Sequence, residues 1–107
     1  MRLLSNRRYQ KRQTEEFEQW LASQLNDLKL GVEIKPPWIT YVGQEPYWGG
    51  WRQGFSEAWY IQVWLPFWKT LSEDEQLAYV IKWNAPSEWL EFLLDPDRWF
   101  GRTENRV

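Results

Sequence analysis

Apolar residues recur at helical spacing near both ends of the chain and at strand spacing between them. Phe17, Trp20, Leu21, Leu25 and Leu28 follow the 3.6-residue period, which predicts an amphipathic helix with one core-facing stripe, ended by Gly31. Thr14 is the expected N-cap, because Glu15 and Glu16 would then occupy the first turn, where the helix macrodipole favours acids. A start near Ser5 would place four basic residues at the unfavourable end, offset only in part by the pairs Lys11–Glu15 and Arg12–Glu16.

The middle of the chain has a different rhythm. Val32 to Lys35 alternates, Pro36-Pro37 interrupts, and Trp38-Ile39-Thr40-Tyr41-Val42 resumes with β-favouring residues, which predicts an edge strand or one beginning at Trp38. From Ala58 to Pro66, Trp59, Ile61, Val63 and Leu65 would face one side of a strand while Tyr60, Gln62 and Trp64 face the other. Both faces are apolar, so this strand should be central or covered, and Pro66 should end it.

Helical spacing then returns. Ser72-Glu73-Asp74-Glu75 has the form of a capping box, followed by Leu77, Val80, Ile81 and Trp83 on one stripe and a stop at Asn84-Ala85-Pro86. A second helix starting at Pro86-Ser87 carries Trp89, Leu90, Leu93 and Leu94. Asp95-Pro96-Asp97 caps a last turn, Arg98-Trp99-Phe100, closed by Gly101. The expected fold is therefore a small α+β domain spanning residues 14–101: an N-terminal helix, a two- or three-stranded antiparallel sheet and two C-terminal helices. A basic arm, residues 1–13, precedes it, and a tail, residues 102–107, follows. On this reading Leu25, Ile61 and Ile81 are core positions, and truncating any one to alanine should cost about 2–4 kcal/mol.

One stretch resists assignment to any stripe. Five of the ten tryptophans fall between Tyr47 and Trp68, and the connection from Gly43 to Ser56 is longer than most hairpin loops. Its aromatics argue that it is ordered. Tyr47, Trp48, Trp51 and Phe55, with Trp38 and the aromatic-flanked Arg52, are the candidate binding residues, since Trp, Tyr and Arg dominate interface energetics and Arg stacks on aromatic faces. The competing reading folds this loop back over the core, with Trp48 and Trp51 filling gaps. Replacing both by alanine should separate the two: weakened partner capture with an intact fold on the first, collapse of the fold on the second.

Composition narrows the chemistry. A chain of 107 residues is the size of one domain, and can bury roughly two-thirds of its unfolded surface. It contains no cysteine and no histidine, which removes disulfides, thiolate ligands and the usual general base. The acids at Glu73-Asp74-Glu75 and Asp95-Pro96-Asp97 are accounted for as helix caps, and Gly49, Gly50 and Gly54 lack the Lys and helix start of a phosphate loop. No enzyme activity, metal or cofactor is expected. No run is long and apolar enough for a membrane span or signal peptide, so a cytoplasmic location is the default.

The net charge of −2 conceals a segregation. Residues 1–12 carry five bases and no acid, residues 13–97 carry 14 acids against 5 bases, and residues 98–107 carry three Arg against Glu104. The function expected from these features is that of a non-enzymatic accessory or adaptor protein, docking on a larger protein partner through the Trp-rich loop and the open sheet face. A homodimer pairing that face is an alternative. A second class is binding of a planar or sugar ligand by the same loop, with Gln44, Glu45, Arg52, Gln53 and Glu57 as polar anchors. A third is nucleic-acid binding through Arg7, Arg8, Lys11 and Arg12, against which the acidic body counts.

Overall fold

The computed structural model describes the backbone of residues 2–94 and the side chains of residues 10–94. Among these residues there is no strand, so the expected α+β fold with its antiparallel sheet is replaced by five helices and a short 3-10 turn. The first helix, α1, spans Arg2–Leu30. It begins well before Thr14 because the preceding stretch is rich in Leu, Arg, Lys and Gln and contains neither Gly nor Pro, and that summed propensity outweighs the charge at its N-terminus. Thr14 is accordingly not a cap; its hydroxyl donates to the Gln10 carbonyl one turn back, at 3.0 Å. Phe17, Trp20, Leu21, Gln24 and Leu28 form the half-buried stripe of α1, while side chains 10–16 are exposed. The helix ends as expected: Gly31 takes φ +78°, its N–H donates to the Leu28 carbonyl, and the Val32 N–H donates to the Asp27 carbonyl.

The two prolines initiate structure instead of interrupting a strand. Pro37 opens α2, Pro37–Thr40, at a position where its missing N–H would have had no helical partner anyway. Trp38, expected in an edge strand, is a buried residue of this single turn.

The largest correction concerns Ala58 to Pro66. Residues 54–70 form one continuous helix, α3, in which α-helical segments Gly54–Trp59 and Leu65–Thr70 flank a π turn, Tyr60–Trp64. Its buried apolar residues are Trp59, Tyr60, Val63, Trp64, Phe67 and Trp68, three adjacent pairs spaced by four. Rows spaced by four drift about 40° per step around an α-helix of 3.6 residues per turn. A π turn has more residues per turn and takes that drift back, and here the Leu65 N–H reaches the Tyr60 carbonyl five residues earlier. All three pairs thereby stay on one face. Pro66 does not end the element; it sits in the first turn of the last α segment, directly after the π turn in which the hydrogen-bond ladder shifts register.

The remaining elements fall where the sequence reading placed them, although Leu77, expected on the buried stripe of the first, is exposed and Tyr79 is buried instead. Helix α4, Glu73–Lys82, carries both halves of the capping box: the Glu75 N–H donates to the Ser72 hydroxyl at 3.2 Å and the Ser72 N–H to the Glu75 carboxylate at 2.8 Å. It closes at Asn84, whose φ of +50° lets the Ala85 N–H reach the Val80 carbonyl. Helix α5 spans Ser87–Leu93. The expected turn at 95–101 and the tail at 102–107 lie outside the described residues.

The core is aromatic. Tyr60, Trp64 and Trp68 stack in succession along α3, with ring centroids 5.6 and 5.5 Å apart. Trp59 meets Trp20 of α1, Trp89 of α5 meets Trp38, and Tyr79 of α4 meets Phe67 and Trp68. Val63, Val80, Leu93 and Ile34 fill the spaces between them. Three of the expected core positions lie outside it: Leu25 is 37% exposed, Ile61 52% and Ile81 65%. Leu25 points away from the α1 stripe, Ile61 lies off the buried face of α3, and Ile81 lies beside, not on, the Tyr79–Val80 stripe of α4.

Candidate binding cleft

The segment between α2 and α3 is held by its own backbone. The Glu45 carbonyl accepts from the Trp48 N–H at 3.1 Å and from Trp51 Nε1 at 2.8 Å, and the Gln44 carbonyl accepts from Trp89 Nε1 at 2.8 Å. The 3-10 turn Gly49–Arg52 follows, and the buried Ser56 hydroxyl donates to the Gly50 carbonyl. Gly50 has no room for a side chain, because a Cβ there would overlap the Trp48 indole. That close approach seats Trp48 edge-to-face on Trp51, with centroids 5.0 Å apart at 89°.

These contacts wall a cleft of about 450 Å³. Five aromatic rings line it: Tyr47, Trp48 and Trp51 from the connecting segment, Tyr60 from α3 and Phe92 from α5. Tyr47 and Phe92 meet edge-on at 5.8 Å. Ile61 lines it as well, and Arg52 is the only charged side chain in its described lining. The π turn of α3 begins at Tyr60, so its first two residues, Tyr60 and Ile61, both reach the cleft. Tyr60 is 8% exposed, and its hydroxyl has no hydrogen-bond partner among the described residues. Burial pushes its pKa up to about 12, so the phenol is a neutral donor at physiological pH.

Of the residues singled out from sequence, Tyr47, Trp48, Trp51 and Arg52 are brought together here. Phe55 is not; it stacks on Phe17 of α1, with centroids 4.3 Å apart at 10°. Trp38 is not either, being buried with its indole N–H donating to the Trp83 carbonyl at 2.9 Å. The anticipated polar anchors Gln44, Glu45, Gln53 and Glu57 do not line the cleft. Lys11 and Arg12 are exposed on α1, and the side chains of Arg7 and Arg8 lie outside the described residues. Tyr60, Ile61 and Phe92 were missed: the first two were assigned to a strand, and Phe92 follows Trp89 at helical spacing but off the stripe read from sequence.

A second cavity, about 560 Å³, opens between α1 and residues 32–35. Asp27, Glu33 and Lys35 line it with mixed charge, and Gln24 there is already engaged as acceptor for Trp59 Nε1 at 3.1 Å. It therefore selects no ligand charge. Among the described residues no group of three His, Cys, Asp or Glu could hold a metal ion, and no helix is long and apolar enough to cross a membrane. No protein-family model, curated protein or solved structure matches the chain.

Proposed function

We propose that the chain is a non-catalytic recognition module whose aromatic cleft binds a small planar ligand. The observation that carries this reading is the cleft itself: about 450 Å³ enclosed by five rings on a segment already tied down by backbone hydrogen bonds. Ligand sites are clefts of about 300–1,000 Å³, mostly apolar and largely formed before binding. The described lining holds no carboxylate, amine or thiol, which supports binding over turnover.

The adaptor reading keeps one specific support. Tyr47 and Ile61 are both exposed at the cleft, as anchors for a partner protein would be, although the described residues contain no sheet face to share that role. The test of the ligand reading is a fragment titration of the 15N-labelled protein. Neutral one- and two-ring aromatics should shift the indole N–H signals of Trp48 and Trp51 and leave that of Trp59, which lies outside the cleft, in place. No shift at Trp48 and Trp51 with any fragment would refute the ligand reading.

A further inference from the structure

Resting on the cleft being a ligand site, we infer that it selects a free planar aromatic carboxylic acid, with Arg52 and the Tyr60 hydroxyl receiving the carboxylate between the aromatic walls. The charge of the lining sets the sign. Arg52 is one of only five bases among residues 13–97 against 14 acids, yet the described lining of its cleft holds no acid. It forms no ion pair among the described residues. Aromatic walls alone would also attract cations. A guanidinium in the same lining repels them and offers a planar fork matched to two carboxylate oxygens.

Tyr60 supplies the independent observation. Its ring is packed on Trp51 at 4.9 Å and on Trp64 at 5.6 Å, so the hydroxyl is fixed in place. Its hydroxyl makes no hydrogen bond among the described residues and is not one of the enclosed unpartnered atoms, so it stands open to the cleft, whereas the Tyr79 hydroxyl both donates and accepts inside the core. A neutral donor left open at a cleft that also holds one cation is suited to an acceptor-rich ligand of charge −1. A phosphate monoester would bring a second negative charge with no second cation to meet it.

The test is titration calorimetry near pH 7 with 2-naphthoate, 2-naphthamide and cyclohexanecarboxylate, repeated on Arg52→Gln and Tyr60→Phe. Neither substitution removes a partnered buried group, so both variants should fold. The naphthoate should bind roughly 10- to 100-fold more tightly than the naphthamide, as expected for a charge-assisted hydrogen bond. Arg52→Gln should bring the two level, Tyr60→Phe should weaken naphthoate binding about 2- to 10-fold, and cyclohexanecarboxylate should bind far more weakly than naphthoate. Equal binding of naphthoate and naphthamide by the wild type, or a preference that survives Arg52→Gln, would overturn the acid assignment while leaving the cleft as a ligand site. Absence of binding by every aromatic probe would overturn the cleft reading along with it. A peptide ending in tryptophan is the last arm; capture of it more tightly than of naphthoate would replace the free acid with a chain terminus.

Discussion

Removing one oxygen atom, in Tyr79→Phe, tests whether the aromatic core is held by packing alone. The Tyr79 hydroxyl donates to the Ile34 carbonyl at 2.6 Å and accepts from Trp64 Nε1 at 3.2 Å, joining α4 to α3 and to the segment ahead of α2. Tyr79 is 3% exposed, Trp64 0% and Ile34 2%, so water cannot readily replace the lost partner. The ring's contacts with Trp38, Phe67 and Trp68 would remain, and the cost is that of two buried polar groups left unpaired. At about 1–3 kcal/mol for each, with some relaxation at the carbonyl, Tyr79→Phe should cost on the order of 2–4 kcal/mol. That is a large part of the 5–15 kcal/mol by which a domain of this size is usually stable. The control is Tyr60→Phe, the same chemical change on an equally packed ring whose hydroxyl has no partner; it should cost less than about 0.5 kcal/mol. Urea unfolding followed by far-UV circular dichroism measures both. A Tyr79→Phe variant no less stable than Tyr60→Phe would show that the core does not rely on this bridge.

The exposed positions give a second test: Ile61→Ala and Ile81→Ala should each cost under about 1 kcal/mol, while Leu93→Ala, at a buried site in α5, should cost about 2–5 kcal/mol in the same urea assay. Gly50→Ala drives a Cβ into the Trp48 indole and should cost about 1–3 kcal/mol, with the Trp48 N–H signal displaced and the response to aromatic fragments lost. A fourth test concerns alkaline pH. Below pH 10 the Tyr60 phenol is neutral in both folded and unfolded chains; between pH 10 and about 12 only the unfolded chain ionises, so stability should fall across that window. The Tyr60 contribution is roughly 2–3 kcal/mol and should be missing from Tyr60→Phe, whose urea midpoint would decline less steeply. Parallel declines in the two proteins would refute it.

What could be read in the sequence was what is decided locally. Ser72 and Glu75 satisfy each other across three residues, Gly31 supplies the left-handed turn after α1, and Asn84 does the same after α4, so these were legible, whereas the N-cap expected at Thr14 and the stop expected at Pro66 are not realised. The strand at Ala58 to Pro66 was misread because seven of its nine residues are apolar, and a segment that apolar fits a period of two as well as one of 3.6. Extending the count to Phe67 and Trp68 reveals pairs at 59/60, 63/64 and 67/68; a strand would turn the two members of each pair to opposite faces, whereas a helix can keep all six on one. Pro66 hid this, because a proline stop is the usual inference and a π turn that prepares a new helical first turn leaves no local signature. At the cleft, Tyr47, Trp48, Trp51 and Arg52 were legible as aromatics and a cation off every stripe. Nothing local distinguishes them from Phe55, which turns toward Phe17, and Tyr60 and Phe92 arrive only through packing between elements distant in the chain.

The same geometry decides which cleft residues can report on function. Trp51 belongs to the core as much as to the cleft: it is buried, its indole donates to the Glu45 carbonyl, and its ring contacts Tyr60, Trp48 and Trp89 at 4.9, 5.0 and 6.0 Å. Trp51→Ala should therefore cost about 3–5 kcal/mol by leaving a large cavity, and a loss of binding in that variant would report on folding. A joint Trp48→Ala/Trp51→Ala variant cannot separate a docking surface from a core, because its two halves answer different questions. Trp48 is half-buried and Arg52 exposed, so Trp48→Ala and Arg52→Gln remove cleft surface while leaving the Trp51–Tyr60–Trp64 stack in place. Trp48→Ala should lower the affinity for the neutral and the charged naphthyl probes alike, and Arg52→Gln only that for the charged one. If instead Trp48→Ala unfolds the protein, the connecting segment is a lid on the core and the cleft is a by-product of its packing.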